Sequence, residues 1–328
     1  MHLLVLGVGS IGMRHSRNAV ALGHRITVWD QDPARRDSAM RELGVEAAPD
    51  LDAGLASRPD AVLVCTPPVS HVALARRALE AEAHVFIEKP LAHSSDEVPG
   101  VLEAAKRAGR LIAVGLNLRF LPSLRRVKLL LEQERVGKIF SARAQFGFYL
   151  PDWRPGRDYR DNYAVSAAHG GGVLLDAIHE LDYLAWLLGE PLELFCATGH
   201  LSALAGDTED VAEVTIRFGS GAMAHVHLDY LRRAYRRDLE ILGEHGVILW
   251  DYAARSVRVL GPAPDQVEIE SLGDIWPNET MYVEELRHFV RCVEGREEPL
   301  VDGWEALRSL RLVEAAKVSA TERQWVAL

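Results

Sequence analysis

A carboxylate, an imidazole and a second carboxylate lie close together in a largely apolar stretch of the sequence. Asp176, His179 and Glu180 belong to GGGVLLDAIHELDYLAWLLG, residues 170–189, which we predict to be one helix opened by glycines and closed by Gly189. Spacings of three and four residues place these side chains on one helical face. A carboxylate and an imidazole there suit a metal pair, a structural hydrogen-bonded pair or acid–base catalysis.

A glycine pattern near the start of the chain forms a second candidate site. GVGSIG, Gly7 to Gly12, follows a predicted buried strand and opens a predicted helix. In this context Gly7 permits a tight turn, Gly9 lets the backbone approach a pyrophosphate, and Gly12 allows close helix–strand packing. The helix N-terminus, at Ser10 and Ile11, supplies amide N–H groups for phosphates.

Two further residues lie where predicted strands end. Asp30 ends the second strand, where a carboxylate accepts hydrogen bonds from ribose hydroxyls and repels a 2′-phosphate, which favours NAD over NADP. Lys89 lies in IEKPLA, residues 87–92, at the carboxyl end of a later strand. Ligands bind at the carboxyl ends of strands in open α/β sheets, so we expect Lys89 to point into the cofactor crevice.

The arrangement of predicted elements indicates two domains. Over residues 1–118, strands alternate with helices, which predicts an α/β Rossmann domain with a doubly wound parallel sheet. Over residues 119–328, successive strands with tight turns predict an α+β domain with an open, mostly antiparallel sheet. We expect the helix at about 303–320 to pack back on the Rossmann domain.

Composition excludes several classes of protein. The chain has 328 residues and a net charge of −10, which argues against a nucleic-acid partner. Its three cysteines are far apart in sequence, which fits a reducing cytoplasm and suggests neither a zinc site nor a disulfide framework. We expect no signal peptide and no membrane association, because no apolar run is long enough to span a bilayer.

Six motifs in order along the chain resemble the Gfo/Idh/MocA family of nicotinamide-dependent oxidoreductases, named for glucose–fructose oxidoreductase and inositol dehydrogenase. They are GVGSIGMRH (7–15), CTPPVSH (65–71), IEKPLA (87–92), GLNLRF (115–120), GGGVLLDAIHELD (170–182) and ALRSLRLVEAAKVSA (306–320). The resemblance implies that Lys89 is the catalytic or orienting lysine of the E-K-P motif. It also implies that Asp176 and His179 are an acid–base pair, and that the pocket beside the nicotinamide ribose involves Thr66, Pro67, His71, Glu88 and Asn117.

This sequence departs from the commoner family pattern at one point. The family scheme D-x-G-x-H separates the aspartate and histidine by three residues, whereas only Ala177 and Ile178 lie between Asp176 and His179. His179 keeps the downstream H-x-x-D relation to Asp182, so its role is the better supported of the two. Whether Asp176 or Glu180 serves the histidine stays open.

Substrate contacts are predicted in the segment before the apolar helix. The predicted loop at 151–169 is rich in arginine, aromatic and amide side chains, which bind carboxylates, phosphates or sugar hydroxyls. The candidate substrate-binding residues are Arg119, Trp153, Arg160, Asn162 and Tyr163. Their positive charge hints at an anionic substrate such as an acidic sugar or a nucleotide sugar.

These features together predict an NAD-dependent dehydrogenase acting on the CH–OH group of a sugar, polyol or sugar derivative. His179 is expected to handle the proton and Lys89 to polarise the reacting oxygen. Alternatives are transient oxidation by tightly bound NAD, with a glycosidase-like or epimerase-like outcome, and a non-catalytic dinucleotide sensor. A metal site completed by His225 and His227 is a weaker alternative, and we expect no metal. We expect a homodimer or homotetramer.

Overall fold

The computed structural model describes residues 1–154, 156–263, 265–271 and 279–328. The chain forms two compact units. Unit 1 consists of Met1–Asn117 and Met281–Arg308, and unit 2 consists of Leu118–Thr280 and Ser309–Leu328.

Unit 1 is built on a six-stranded parallel sheet. Its strands are β1 (His2–Leu6), β2 (Arg25–Trp29), β3 (Glu46–Ala47), β4 (Ala61–Val64), β5 (His84–Glu88) and β6 (Ile112–Gly115). They lie in the order β3-β2-β1-β4-β5-β6, so the strand order reverses between β1 and β4. Both β1 and β4 are apolar throughout their buried lengths, as expected for strands covered on both faces. The predicted Rossmann sheet is confirmed.

The helices of residues 1–117 connect these strands. They are α1 (Ser10–Ala21), α2 (Pro33–Leu43), α3 (Leu51–Ala56), α4 (His71–Glu80) and α5 (Val98–Arg107). The start of α2 follows from its sequence, because the Asp32 side chain accepts from the Ala34 N–H and Pro33 occupies the first turn. Sequence reasoning did not find the short elements α3 and β3.

Unit 2 is built on a nine-stranded sheet. After helix α6 (Pro122–Glu132), its elements are β7 (Ile139–Gly147), α7 (Val173–Asp176), α8 (Ile178–Leu188), β8 (Pro191–Gly199), β9 (Val211–Phe218), β10 (Met223–Asp229), β11 (Arg236–Gly243), β12 (Gly246–Asp251), β13 (Ser256–Leu260) and β14 (Val267–Ser271). With the final strand β15 (Val326–Ala327), the order is β14-β13-β12-β11-β7-β10-β9-β8-β15. All neighbours are antiparallel except β7 and β10. The predicted mostly antiparallel sheet is confirmed.

The prediction of one continuous helix between Gly172 and Gly189 is wrong. Ala177 has φ −94° and ψ 32°, outside the helical region, and separates α7 from α8. The surrounding residues are almost uniformly apolar, so the sequence contains no periodicity that would locate this break. Asp176 therefore ends the first helix, and His179 lies in the first turn of the second.

Two long helices complete the chain. They are α9 (Thr280–Val293) and α10 (Gly303–Glu322). The first six residues of α10 cluster with unit 1 and the rest with unit 2. Among the helices of the described residues, none combines the length and the apolar character needed to cross a bilayer.

Candidate active site

The glycine loop between β1 and α1 is shaped for a close backbone approach. Gly7 has φ +87°, and a Cβ there would lie 2.9 Å from the Cys65 carbonyl oxygen. A Cβ on Gly12 would lie 1.8 Å from the carbonyl oxygen of Gly7, so no larger residue fits. Gly9 is the N-cap residue of α1 and provides no side-chain cap. The amide N–H groups of the first turn, at Ser10 and Ile11, therefore suit an anionic ligand.

Asp30 directly follows β2 and contacts the same loop. Its Oδ2 accepts from the Val8 N–H at 2.8 Å, and its Oδ1 accepts from the Asp32 N–H at 2.9 Å. The Arg35 guanidinium lies 3.7 Å from Oδ2. A carboxylate offers about four acceptor positions, so the contacts above leave acceptor capacity for ribose hydroxyls. These residues fit a dinucleotide with a free 2′-hydroxyl.

His71 joins the two predicted motifs that follow β4 and β5. It is fully buried, and its ring nitrogens lie 2.8 Å from the Thr66 carbonyl oxygen and 2.9 Å from the Pro90 carbonyl oxygen. Burial lowers the pKa of His71, and the two carbonyls oppose that change. Because the ring is enclosed, His71 holds the Thr66–Pro67 and Lys89–Pro90 segments together rather than offering itself to a ligand.

Lys89 follows the last residue of β5. Its N–H donates to its neighbour Glu88, whose Oε2 lies at 3.1 Å, and the other oxygen of Glu88 contacts His15 Nε2 at 2.5 Å. Asn117, just beyond β6, is 6 % exposed, and its Oδ1 has no hydrogen-bond partner among the described residues. A buried acceptor of this kind fits a ligand amide or hydroxyl.

The predicted cofactor residues of unit 1 thus form a connected set. Asp30 contacts the glycine loop, and a Cβ on Gly7 would lie 3.0 Å from the Thr66 methyl group. The His71 ring contacts the carbonyl oxygens of both Thr66 and Pro90, and Pro90 follows Lys89. The structure therefore places these predicted cofactor residues together, at one edge of one sheet.

In unit 2, two tyrosine hydroxyls hold Asp176. Tyr163 Oη donates to Oδ1 at 2.8 Å, and Tyr230 Oη lies 3.5 Å from Oδ2. Burial, and then the Asp176 charge, raise the pKa of Tyr230, so its hydroxyl stays a donor at neutral pH. His179 is 7 % exposed. The predicted substrate ligand Tyr163 therefore also orients the predicted catalytic carboxylate.

Glu180 and Arg119 each take part in a buried ion pair. Glu180 is fully buried, and its Oε1 lies 2.8 Å from Nε of Arg237, without the alignment of a hydrogen bond. Arg119 binds Asp182 through two hydrogen bonds of 2.7 and 3.0 Å, and Ser309 donates to the same carboxylate. Since Arg119 is 3 % exposed, we leave it out of the proposed substrate contacts.

The predicted loop at 151–169 consists largely of short 3₁₀ turns, and three of its predicted substrate residues have local partners. Trp153 Nε1 donates to the Phe148 carbonyl, Asn162 caps the turn at Ala164, and Arg160 pairs with Asp158. Arg160 is exposed, so its guanidinium remains accessible to a ligand.

Sequence reasoning missed four buried groups around these residues. They are His15, Tyr230, Arg237 and Glu285. His15 belongs to the GVGSIGMRH motif, so its place in that motif could have indicated it. Nothing local marks the other three, because their partners are distant in the sequence.

Two family models match the chain. Residues 1–116 match the "Oxidoreductase family, NAD-binding Rossmann fold", and residues 124–249 match the "GFO/IDH/MocA C-terminal domain". The chain is 32% identical over 350 aligned positions to myo-inositol 2-dehydrogenase of Thermotoga maritima, covering 100% of this chain and 98% of the relative. It is 28% identical over 329 positions to scyllo-inositol 2-dehydrogenase (NAD(+)) of Bacillus subtilis, covering 95% and 92%.

Solved structures share the fold across the whole chain. WlbA dehydrogenase from Bordetella pertussis, in complex with NADH and UDP-GlcNAcA, has a TM-score of 0.88 at 24% identity and covers 100% of this chain and 97% of its own. Levoglucosan dehydrogenase, in complex with NADH and levoglucosan, has a TM-score of 0.88 at 22% identity, with 100% and 99% coverage.

Proposed function

Because the chain belongs to the Gfo/Idh/MocA family of oxidoreductases, we propose that it transfers a hydride between nicotinamide and a hydroxyl carbon of a sugar, polyol or sugar derivative. The predicted family, the NAD cofactor and the dehydrogenase class agree with the matches and are confirmed. The observation that carries the proposal is the position of Lys89, at the carboxyl end of β5, in the sheet that also holds the glycine loop and Asp30.

In this proposal, Lys89 and His179 have different roles at the reacting oxygen of the substrate. The nicotinamide ring, when bound, accepts or donates the hydride. The Lys89 ammonium stabilises negative charge developing on the substrate oxygen. His179 takes the hydroxyl proton during oxidation and returns it during reduction, because an imidazole titrates near neutral pH.

Asp176 is the carboxylate that we assign to His179. It lies three residues before the histidine, whereas Glu180 pairs with the buried Arg237. The hydroxyls of Tyr163 and Tyr230 fix the Asp176 carboxylate, and a fixed carboxylate favours one orientation and one tautomer of a neighbouring imidazole.

Polyols are the substrate class that the relatives favour. The relatives from Thermotoga maritima and Bacillus subtilis described above, at 32% and 28% identity, are named as inositol dehydrogenases. We further propose that the enzyme works in the cytoplasm as a homodimer or homotetramer. The exposed face of the nine-stranded sheet, which carries Met223 and Leu242, is a candidate contact surface.

A second candidate function is transient oxidation by retained NAD. A relative 28% identical over 225 positions, covering 67% of this chain, is named 2,7-anhydro-N-acetylneuraminate hydratase. Purified protein that carries NAD and converts a sugar without net NADH formation would favour this outcome.

The test is NAD reduction with a panel of inositols, sugars, uronic acids and nucleotide sugars. On the best substrate, His179→Asn is expected to lower kcat by about 10²–10⁴-fold, since general acid–base catalysis contributes this much. Lys89→Met is expected to lower kcat by about 10²–10³-fold. NADH affinity, followed by fluorescence titration, should change by less than about fivefold in the histidine variant.

Matched controls come from exposed residues of the same types. Lys106→Met on α5 and His245→Asn between β11 and β12 should leave turnover unchanged, because both side chains are exposed. Full turnover in both the Lys89 and His179 variants would contradict the proposed roles. NADH binding without turnover of any panel member would favour the sensor.

A further inference from the structure

Unit 1 contains a buried cluster of three ionisable side chains from separate elements. His15 of α1 is fully buried, Glu88 at the end of β5 is 7 % exposed, and Glu285 of α9 is 2 % exposed. One nitrogen or oxygen atom from each lies within 4.8 Å of the corresponding atom of the other two. The roles proposed above for Lys89 and His179 leave this cluster unexplained.

Glu88 is held in place on several sides. One of its oxygens contacts His15 Nε2 at 2.5 Å, and the other accepts from the Lys89 N–H at 3.1 Å. A Cβ on Gly115 of β6 would lie 3.2 Å from the Glu88 carboxyl group, so the glycine leaves the space that this carboxyl occupies. The orientation of Glu88 is therefore coupled to the main chain at Lys89.

Glu285 is different, because neither of its oxygens has a hydrogen-bond partner among the described residues. Burial, and then the Glu88 charge, raise its pKa well above the usual range. Three uncharged side chains also face the cluster: Cys65 follows β4, and the rings of Phe86 and Tyr282 lie 5.2 and 6.3 Å from the His15 ring. Arg14 lies over Tyr282, 4.4 Å from its ring centre.

A bound cation fits this geometry poorly. Metal bonds of about 2.0–2.2 Å at a tetrahedral angle set two ligand atoms roughly 3.3 Å apart. His15 Nε2 and Glu88 Oε1 are 2.5 Å apart, so they bind each other and not a common ion. A proton on Glu285 fits the cluster instead, because it leaves Glu88 as the one carboxylate beside His15.

We propose that Glu285 is a positioning residue, held as a neutral carboxylic acid, that leaves Glu88 as the single carboxylate bound by His15. An ionised Glu285 would compete for His15 and repel Glu88, and so displace the Lys89 main chain. This inference rests on the proposed function, in which Lys89 acts on the substrate oxygen.

Thermal unfolding across pH tests the protonation state without any substrate. Above about pH 4.5 the unfolded chain releases the Glu285 proton while the folded protein keeps it, so this group lowers stability as pH rises. Glu285→Gln removes this loss. Its melting temperature should equal that of the wild type near pH 4.5 and exceed it by about 2 °C more for each pH unit above that, until the folded protein also releases the Glu285 proton.

The control is Glu284→Gln, the neighbouring glutamate on α9, which pairs with Arg287 at the surface and should give a difference independent of pH over this range. A Glu285→Gln protein less stable than the wild type at pH 8 would overturn the proposal. So would a Zn²⁺ or Mn²⁺ dependent rise in melting temperature that Glu285→Gln abolishes.

Kinetics test the positioning role. Glu285→Gln should keep kcat within about threefold, since the amide reproduces a neutral acid, whereas Glu285→Leu should lower kcat at least about tenfold with little change in substrate KM. Equal kcat in the two variants would contradict positioning. If no panel substrate reduces NAD, the proposed function fails, while the unfolding experiment still decides the charge on Glu285.

Discussion

Two clusters of buried carboxylates, one in each unit, differ in the basic side chains beside them. In unit 2, Asp182 is bound by Arg119 and Glu180 lies against Arg237. In unit 1, the Glu88 carboxyl lies beside His15, an imidazole that is charged only when protonated. Arginine keeps its charge at every accessible pH, whereas the charge of a histidine or of a carboxyl depends on pH.

The cluster of unit 2 therefore has fixed charges, whereas the charges in the cluster of unit 1 depend on pH. The arginine pairs of unit 2 involve Glu180 and Asp182, one and three residues after His179 in α8, so permanent charges fix the backbone next to the proposed catalytic histidine. The cluster of unit 1 contains Glu88, the residue before Lys89, and a proton on Glu285 balances the charge of this cluster. Substitutions that remove one charge from each kind of cluster should therefore have effects of different size and sign.

The largest expected effect is at Asp182. Asp182→Asn leaves the 3 % exposed Arg119 without its counter-charge, and we expect the free energy of unfolding to fall by about 3–5 kcal/mol in urea denaturation. The control is Glu193→Gln, whose partner Arg217 is largely exposed, with an expected loss under about 1 kcal/mol. Similar losses in both variants would show that burial does not set the strength of these pairs.

Glu180→Gln should have the next largest effect. Arg237 keeps its contact with the Phe146 ring, 4.5 Å from the guanidinium, so part of its stabilisation survives. We expect a loss of about 2–3 kcal/mol. A double-mutant cycle with Arg237→Met should give a coupling energy of about 1–3 kcal/mol. A coupling energy near zero would mean that the two charges act independently, which would weaken the distinction between the units.

The sequence alone predicts those parts of the fold and of the site that depend on local motifs. Gly7 and Lys89 follow buried strands directly, and the carboxyl ends of parallel strands meet at one edge, so both the Rossmann sheet and this half of the site were predictable. Glu285 and Tyr230 approach their partners only through tertiary packing, which no spacing rule contains. The break at Ala177 escaped prediction because its neighbours are uniformly apolar.

The smallest expected effect concerns a partly exposed acid–base cluster on β9 and β10, which includes the H-x-H pair first considered as a metal site. Glu213 contacts both imidazoles, at 3.0 Å from His225 and 2.6 Å from His227, and Asp229 lies 3.0 Å from the second ring nitrogen of His227. The hydrogen bond to Asp229, and then the one to Glu213, raise the pKa of His227 against its partial burial. The charged pair therefore stabilises the fold fully below pH 6.5, and this contribution is lost as pH rises through the higher folded-state pKa.

His227→Gln should therefore lower the free energy of unfolding at pH 6 by less than about 1 kcal/mol, because the cluster is partly exposed, and the difference from the wild type should vanish by pH 9. Chemical denaturation at both pH values measures this, with His225→Gln, two residues earlier on the same strand and half exposed, as the matched control expected to give the smaller change. Relative to the wild type, the stability of His227→Gln should rise with pH from a loss towards zero, whereas that of Glu285→Gln should rise from zero to a gain, because the folded-state pKa of both groups is raised. A gain for His227→Gln at pH 9, or a loss for Glu285→Gln at pH 6, would contradict the local partners assigned to these side chains. The expected difference in sign ties each response to its own cluster: a histidine charged by nearby carboxylates on the sheet face, and a carboxyl kept neutral by burial in unit 1.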